Sequence, residues 1–201
     1  MTNIDVFRPK SNFLLAGTLV LISVLTAAQF IFSGELHSSL VAIFGTTTAT
    51  AVAWVAFVRP KVVISDEGIR IVNPLREFQF GWSEVDAIET KYALTVVAGK
   101  TKVRAWVAPA PSRYHARGVH SSEVKGLGSL IGGGTASASL RPGDSLRSDS
   151  GVAAHLARLR FSDYKPGTVS DLPRELRLNW AGTAALLIGL IGLILLQNIH
   201  F

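Results

Sequence analysis

Three basic side chains stand at alternate positions in one short segment. Lys100, Lys102 and Arg104 are spaced by two residues, so on a β-strand they project from the same face. Such a row binds anionic groups, and beside a negatively charged membrane each cation contributes about 1 kcal/mol. The spacing therefore makes these residues candidates for contact with lipid headgroups. An ordinary solvated strand face has the same pattern, so both interpretations stay open.

The remaining reactive side chains form no catalytic or metal-binding pattern. The sequence has no cysteine, which excludes disulfides and thiolate chemistry. None of its five histidines has a second histidine four positions away. The glycine-rich run 126–134 lacks both the G-x-G-x-x-G spacing and the Lys-Ser/Thr of a phosphate loop. We expect no enzyme activity, no metal, no cofactor and no small-molecule substrate.

Hydropathy indicates a membrane protein. Segments 11–34, 36–58 and 178–201 contain no Asp, Glu, Lys or Arg, and each exceeds the roughly 20 apolar residues that cross a bilayer. We predict three transmembrane helices. The alternatives are a signal peptide for the first segment, which its length and the following span disfavour, and a buried helix of a globular core for the second.

The basic residues set the expected orientation. All 20 Lys and Arg lie before the first span or within 59–177, and the turn 33–39 has none. Because Lys and Arg remain on the cytoplasmic side, we expect the N-terminus and 59–177 inside, and the C-terminus outside, a bacterial plasma membrane. Segment 59–177 has 18 basic and 12 acidic residues, a net charge of +6, which then faces anionic lipid and requires no nucleic acid.

Between the second and third spans the pattern changes to short β-strands. Apolar and polar residues alternate around Phe78–Trp82, and turn residues separate the apolar runs. These features predict a small cytoplasmic antiparallel β domain, so the fold class is three transmembrane helices plus an α+β domain. The predicted organisation is a cytoplasmic N-terminal tail (1–11), a transmembrane helical hairpin (12–58), the β domain (59–111), a flexible Gly/Ser-rich loop (112–150), a short helix with a return linker (151–177) and a third transmembrane helix (178–201).

Small residues recur every four positions in two of the predicted spans. The second span contains Gly45, Ala49 and Ala53, and the third contains Ala181, Ala185 and Gly189. Small residues at this spacing let another helix approach closely, which matters because packing drives helix association in lipid. The two spans pack on each other, or one groove faces a partner subunit, or the residues are simply common in membrane helices.

Several short motifs resemble one family. The β domain and its flanks resemble bacterial PH-like membrane proteins of the low molecular weight protein antigen 6 type, a likeness that covers residues 1–111. The motifs that carry it are Arg59-Pro-Lys61, Asn73-Pro-Leu-Arg76, Trp82-Ser-Glu-Val85, Lys91-Tyr-Ala-Leu94 and Ala105-Trp-Val-Ala-Pro-Ala-Pro111. The resemblance implies a bent antiparallel sheet with a capping helix, here 151–161, and implies no enzyme activity. Helical periodicity in this segment places Val152, Leu156 and Leu159 on one face and leaves Arg158 and Arg160 off it.

Two functional hypotheses follow from these features. The first is an accessory or scaffolding subunit of a larger membrane complex, with other membrane proteins as partners. The second is a module that binds anionic membrane lipids. Neither hypothesis requires catalysis.

The orientation gives a testable prediction. The cysteine-free chain accepts single Cys residues without background. A Cys replacing Ser38 should react with an impermeant maleimide in intact cells, and one replacing Ser148 should not. The reverse labelling pattern would place the β domain outside.

Overall fold

A computed structural model describes residues 3–32, 34–111, 142–167 and 171–198. The chain divides into two compact units. The β domain consists of Met1–Pro9, Lys61–Asn73 and Glu77–Arg177, and the helical unit consists of Lys10–Pro60, Pro74–Arg76 and Leu178–Phe201.

The described residues of the β domain form eight strands: β1 (Ile4–Phe7), β2 (Lys61–Ser65), β3 (Gly68–Val72), β4 (Arg76–Gly81), β5 (Ala87–Glu89), β6 (Ala93–Ala98), β7 (Thr101–Pro109) and β8 (Glu175–Leu178). These strands lie in two sheets, with the orders β1-β2-β3-β4-β8 and β5-β6-β7. Pairing is antiparallel from β1 to β4 and from β5 to β7. The strands predicted between the spans are present, whereas β1 and β8 were not predicted.

Alternation along the strands builds the core of the β domain. Val62, Ile64, Ile69 and Ile71 face inward and are fully buried, while their neighbours on the same strands are only half-buried in most cases. Trp82 closes the core at the end of β4, where its Nε1 donates a hydrogen bond to the Ser65 carbonyl at 2.9 Å. This alternation fixes which side chains of each strand face out.

Helix α3 (Asp149–Asp163) covers the core. Its fully buried face is formed by Ala153, Ala154 and Ala157. Val152, Leu156 and Leu159 are only half-buried, and of these Leu156 packs against the core together with Phe161. Large apolar residues of the strands already fill most of the core, so small side chains lie directly beneath the helix.

A buried ion pair ties α3 to the sheet. Arg158 is 9% exposed, although the helical pattern predicts it on the solvent side. It donates to Asp144 at 2.9 Å and to the Ile88 carbonyl at 2.9 Å, and Thr90 donates to the same Asp144 oxygen at 2.7 Å. The charge is tolerated in the interior because it is paired and hydrogen-bonded.

The segment that leads into α3 is ordered and buried. A 3-10 turn covers Pro142–Asp144, and the Ser148 hydroxyl caps α3 by accepting from the Gly151 N–H at 3.0 Å. A side chain at Gly151 would collide with the Ser145 carbonyl, so glycine is required there. The prediction of a flexible loop over 112–150 is therefore wrong for 142–150, and 112–141 lie outside the described residues.

The N-terminal segment is part of the β domain and not a free tail. Strand β1 pairs with β2, with Val6 opposite Val63. Arg160 of α3 holds this strand by donating to Asp5 at 2.9 Å and to Asp66 at 2.8 Å. These contacts raise the pKa of Arg160, first through the hydrogen bond to Asp5.

Asp171, which precedes β8 in the chain, is hydrogen-bonded to the residue that follows α3. The Tyr164 hydroxyl donates to this carboxylate at 2.9 Å. Burial acts to raise the pKa of Asp171, but hydrogen bonds from Ser83, Tyr164 and the Trp82 backbone outweigh it and lower the pKa. The carboxylate thus remains ionised at neutral pH.

The described part of the helical unit contains three apolar helices: α1 (Lys10–Phe32), α2 (Leu36–Ala53), which continues as a π-helical turn (Trp54–Val58), and α4 (Trp180–Asn198). Within the described residues, Lys10–Phe32 and Leu36–Val58 are long and apolar enough to cross a membrane. The apolar part of α4, Trp180–Leu196, is shorter than these two.

The position of Ser148 changes the design of the labelling experiment. Ser148 is 8% exposed and caps α3, so a Cys there would stay unreactive on either side of a membrane. Leu146, which is 46% exposed, is the suitable position for the inner label.

The buried ion pair predicts a stability difference. Asp144→Ala should cost about 3–5 kcal/mol of unfolding free energy because it leaves the Arg158 charge buried and unpaired. The control is Glu175→Ala, which removes an exposed pair with Arg177 and should cost about 1 kcal/mol or less. Thermal unfolding of the full chain measures both, and equal shifts would contradict the role of the buried pair.

Candidate functional site

The outward side of β7 carries a basic and aromatic surface. Lys102, Arg104 and Trp106 are exposed, while the intervening Val103 and Ala105 are buried. Tyr92, which is 62% exposed, lies beside this row with its ring 5.6 Å from the Arg104 guanidinium carbon. We call Tyr92, Lys102, Arg104 and Trp106 the basic–aromatic strip.

Lys100 lies apart from the strip because it is in the turn between β6 and β7 and not on a strand. Gly99 adopts a positive φ of 58° in this turn, and its N–H donates to Asp86 at 2.5 Å. The structure therefore aligns Lys102 and Arg104 on one strand face, as the spacing predicts, and places Lys100 at the exposed end of the hairpin.

The charges of the strip have few partners. Lys102 is 3.9 Å from Glu89, a long and exposed ion pair that contributes little. A further cation, Lys91, lies with its Nζ 5.2 Å from the centre of the Tyr92 ring. Within the described part of the chain, no carboxylate lies within ion-pair distance of Lys91, Lys100 or Arg104. The surface therefore keeps net positive charge.

The Asn73 side chain fixes the backbone of the strip. Its Nδ2 donates to the Arg104 carbonyl at 2.9 Å, and its Oδ1 accepts from the Trp106 N–H at 2.8 Å. Both backbone groups on β7 are thereby satisfied by a residue of the turn after β3. The sequence shows the Asn73-Pro74 turn but gives no sign of this cross-link.

The predicted helix-packing residues separate into different surroundings. Gly189 of α4 faces α2, and a Cβ there would collide with the Thr48 side chain. Ala181 and Ala185 are exposed and border an open groove between the same two helices. The close contacts of α4 instead include Gly182 and Gly192, which the four-residue spacing did not identify.

The predicted stripe on α2 is likewise divided. Ala53 is 2% exposed and Ala49 is half-buried. A Cβ at Gly45, by contrast, would have no atom within 4 Å. Gly45 borders a cavity of about 500 Å³ lined by residues of α1 and α2, among them Ala27, Phe30 and Ala42.

No group of three or more His, Cys, Asp or Glu side chains that could hold a metal occurs in the described segments. His115 and His120 lie outside them. The groups gathered on the strip are permanent cations and aromatic rings. Such groups bind anions and membrane interfaces, where Trp and Tyr place a ring at headgroup depth.

Comparison with known proteins identifies the class of domain. Residues 59–118 match the family described as Bacterial PH domain, which confirms the resemblance read from the sequence over that segment. The antiparallel β domain described above is thus PH-like. The match covers less than a third of the chain, and it leaves out α1 and α4. The chain has no significant match among curated proteins or among solved structures.

The helix contacts predict unequal effects of added bulk. Gly189→Leu should lower the thermal unfolding midpoint because the side chain must displace Thr48, a distortion that costs typically about 1–3 kcal/mol. Gly45→Leu should change the midpoint much less, since the site has room. Unfolding of the detergent-solubilised chain compares the two, and a larger loss at Gly45 would contradict the assigned contacts.

Proposed function

We propose that this protein is a non-enzymatic module of a bacterial plasma membrane whose PH-like domain binds anionic lipid headgroups. The observation that carries the proposal is the basic–aromatic strip. It combines two cations with Trp106 and Tyr92, both more than half exposed. Exposure of the apolar surface of an aromatic ring to water is unfavourable in free energy. Trp and Tyr rings beside cations are therefore well suited to the boundary between headgroups and acyl chains.

The helical unit supports the membrane part of this proposal. A PH-like domain joined to two helices of sufficient length and apolarity fits a membrane module. We propose that α4 is a third span: its apolar part, Trp180–Leu196, would be about 26 Å long at a 1.5 Å rise per residue, at the short end of the roughly 17–25 residues that cross a bilayer. The distribution of Lys and Arg supports a cytoplasmic β domain and an external C-terminus.

A second candidate function is that of an accessory subunit in a larger membrane complex. The cavity beside Gly45 favours it, because a small-residue surface with open space accepts a helix from a partner. Partner subunits would then be identified by crosslinking in native membranes followed by mass spectrometry. A partner that is crosslinked to the wild-type chain but not to Gly45→Leu would favour this function.

The lipid proposal predicts a charge-dependent response of the full chain. Thr95, half-buried and opposite Arg104 on β6, is replaced by Cys and labelled with an environment-sensitive fluorophore. In nanodiscs the emission should shift to the blue when phosphatidylglycerol replaces phosphatidylcholine. The shift should shrink at 1 M salt, where the Debye length is about 3 Å.

Matched charge variants test the site. Lys102→Gln with Arg104→Gln should remove most of the emission shift. The control, Arg147→Gln with Lys165→Gln, removes the same amount of positive charge from the two ends of α3. This control chain should retain the emission shift. No shift in wild type, or equal loss in both pairs, would contradict lipid binding by the strip.

A further inference from the structure

The open groove between α2 and α4 lies within the helical unit. It has a volume of about 790 Å³, within the range of about 300–1,000 Å³ typical of ligand sites. Its lining includes Thr47, Thr50 and Trp54 from α2 and its π-helical turn, Ala185 from α4, and Arg59 and Asn179, which flank these elements. The groove is open along one side, and Ala181, Ala185 and Thr47 on its walls are exposed.

One end of the groove is polar and carries a positive charge. The π-helical turn closes with a hydrogen bond from the Arg59 N–H to the Trp54 carbonyl at 2.8 Å. Arg59 therefore follows Trp54 by one wide helical turn. Trp54 is 61% exposed. Such π-helical turns are frequent at functional sites, and an arginine fork matches a phosphate better than a lysine does.

The Pro74 carbonyl fixes this polar end. It accepts from Arg59 Nη1 at 3.3 Å and from Asn179 Nδ2 at 3.0 Å. Asn179 in turn caps α4, because its Oδ1 accepts from the Gly182 N–H at 3.1 Å. The ends of α2 and α4 are therefore held around one acceptor, and the groove entrance is preformed.

The rest of the groove is apolar despite its threonines. Thr47 and Thr50 donate their hydroxyls to the Ile43 and Thr46 carbonyls of their own helix at 2.9 and 2.8 Å. Their capacity to donate hydrogen bonds is thereby used within α2. Methyl groups and the alanines of α4 form a wall that suits a hydrocarbon chain.

We propose that this groove binds one anionic phospholipid. The phosphate lies at Arg59, the glycerol backbone lies near Trp54, and one acyl chain runs between α2 and α4 past Ala185. The change from a charged end to an apolar wall matches an amphiphile of this kind. The proposal rests on the membrane residence proposed above, but it concerns residues separate from the basic–aromatic strip.

Native mass spectrometry of the full chain in detergent tests the proposal, with dioleoylphosphatidylglycerol as the probe. Wild type should form a saturable adduct with one lipid. Ala185→Phe should weaken it about tenfold or more, since the ring occupies the acyl path, a change that corresponds to about 1.4 kcal/mol. The control Ala184→Phe adds the same bulk at an exposed neighbour outside the groove and should leave the adduct unchanged.

A headgroup comparison tests the role of Arg59 and does not depend on the packing variant. Wild type should prefer dioleoylphosphatidylglycerol to dioleoylphosphatidylcholine, and Arg59→Gln should abolish that preference. The absence of a saturable adduct, equal binding of both lipids, or equal loss in Ala184→Phe and Ala185→Phe would overturn the proposal.

The strip variants separate the two lipid proposals. Lys102→Gln with Arg104→Gln should leave the adduct intact, because neither residue lines the groove. If wild type forms the adduct but shows no emission shift from the fluorophore on β6, only the proposal of lipid binding by the strip is contradicted. If wild type shows the emission shift but forms no adduct, only the proposal of lipid binding in the groove is contradicted.

Discussion

The buried pair between Arg158 and Asp144 is the interaction on which the PH-like domain depends. Helix α3 presents mainly alanines to the core, and small side chains bury little apolar area, at roughly 25 cal/mol per Å². The ion pair, the Thr90 hydroxyl and the Ser148 cap supply the specific contacts that fix the helix. A fixed helix closes the core beneath β7 and so keeps the strip on its outer face.

The PH-like domain is also completed by strands that precede α1 and α4. Strand β1 is the edge of the larger sheet beside β2, and β8 is the opposite edge beside β4. Each of these strands is followed within three residues by an apolar helix. A fragment that starts at residue 59 would lack β1 and the Asp5 partner of Arg160, which is why binding experiments require the full chain.

Local patterns were sufficient where burial is regular. Alternation along Phe78–Trp82 and the glycine turns predicted the central strands, and absence of charge predicted the apolar helices. Long-range pairing was not predictable: β1 is too short to be recognised alone, and Arg158 looked solvent-facing because its partner Asp144 lies in a segment rich in turn residues. The spacing of two residues was a local pattern and correctly aligned Lys102 and Arg104 on one strand face. The position of the Tyr92 ring beside Arg104 depends on long-range pairing and was visible only in the fold.

The proposed function depends on contact between the basic–aromatic strip of the PH-like domain and lipid. The most direct measurement is quenching of Trp106 by brominated phosphatidylglycerol in nanodiscs, in a chain carrying Trp54→Phe and Trp180→Phe. Trp82 is the other tryptophan left in this chain, and at 1% exposure it is shielded from the quencher. Its fluorescence is the background signal, which is measured in the same chain carrying Trp106→Phe. If the strip contacts lipid, quenching should be strong and should require Trp106. Equal fluorescence in brominated and unbrominated lipid would contradict it.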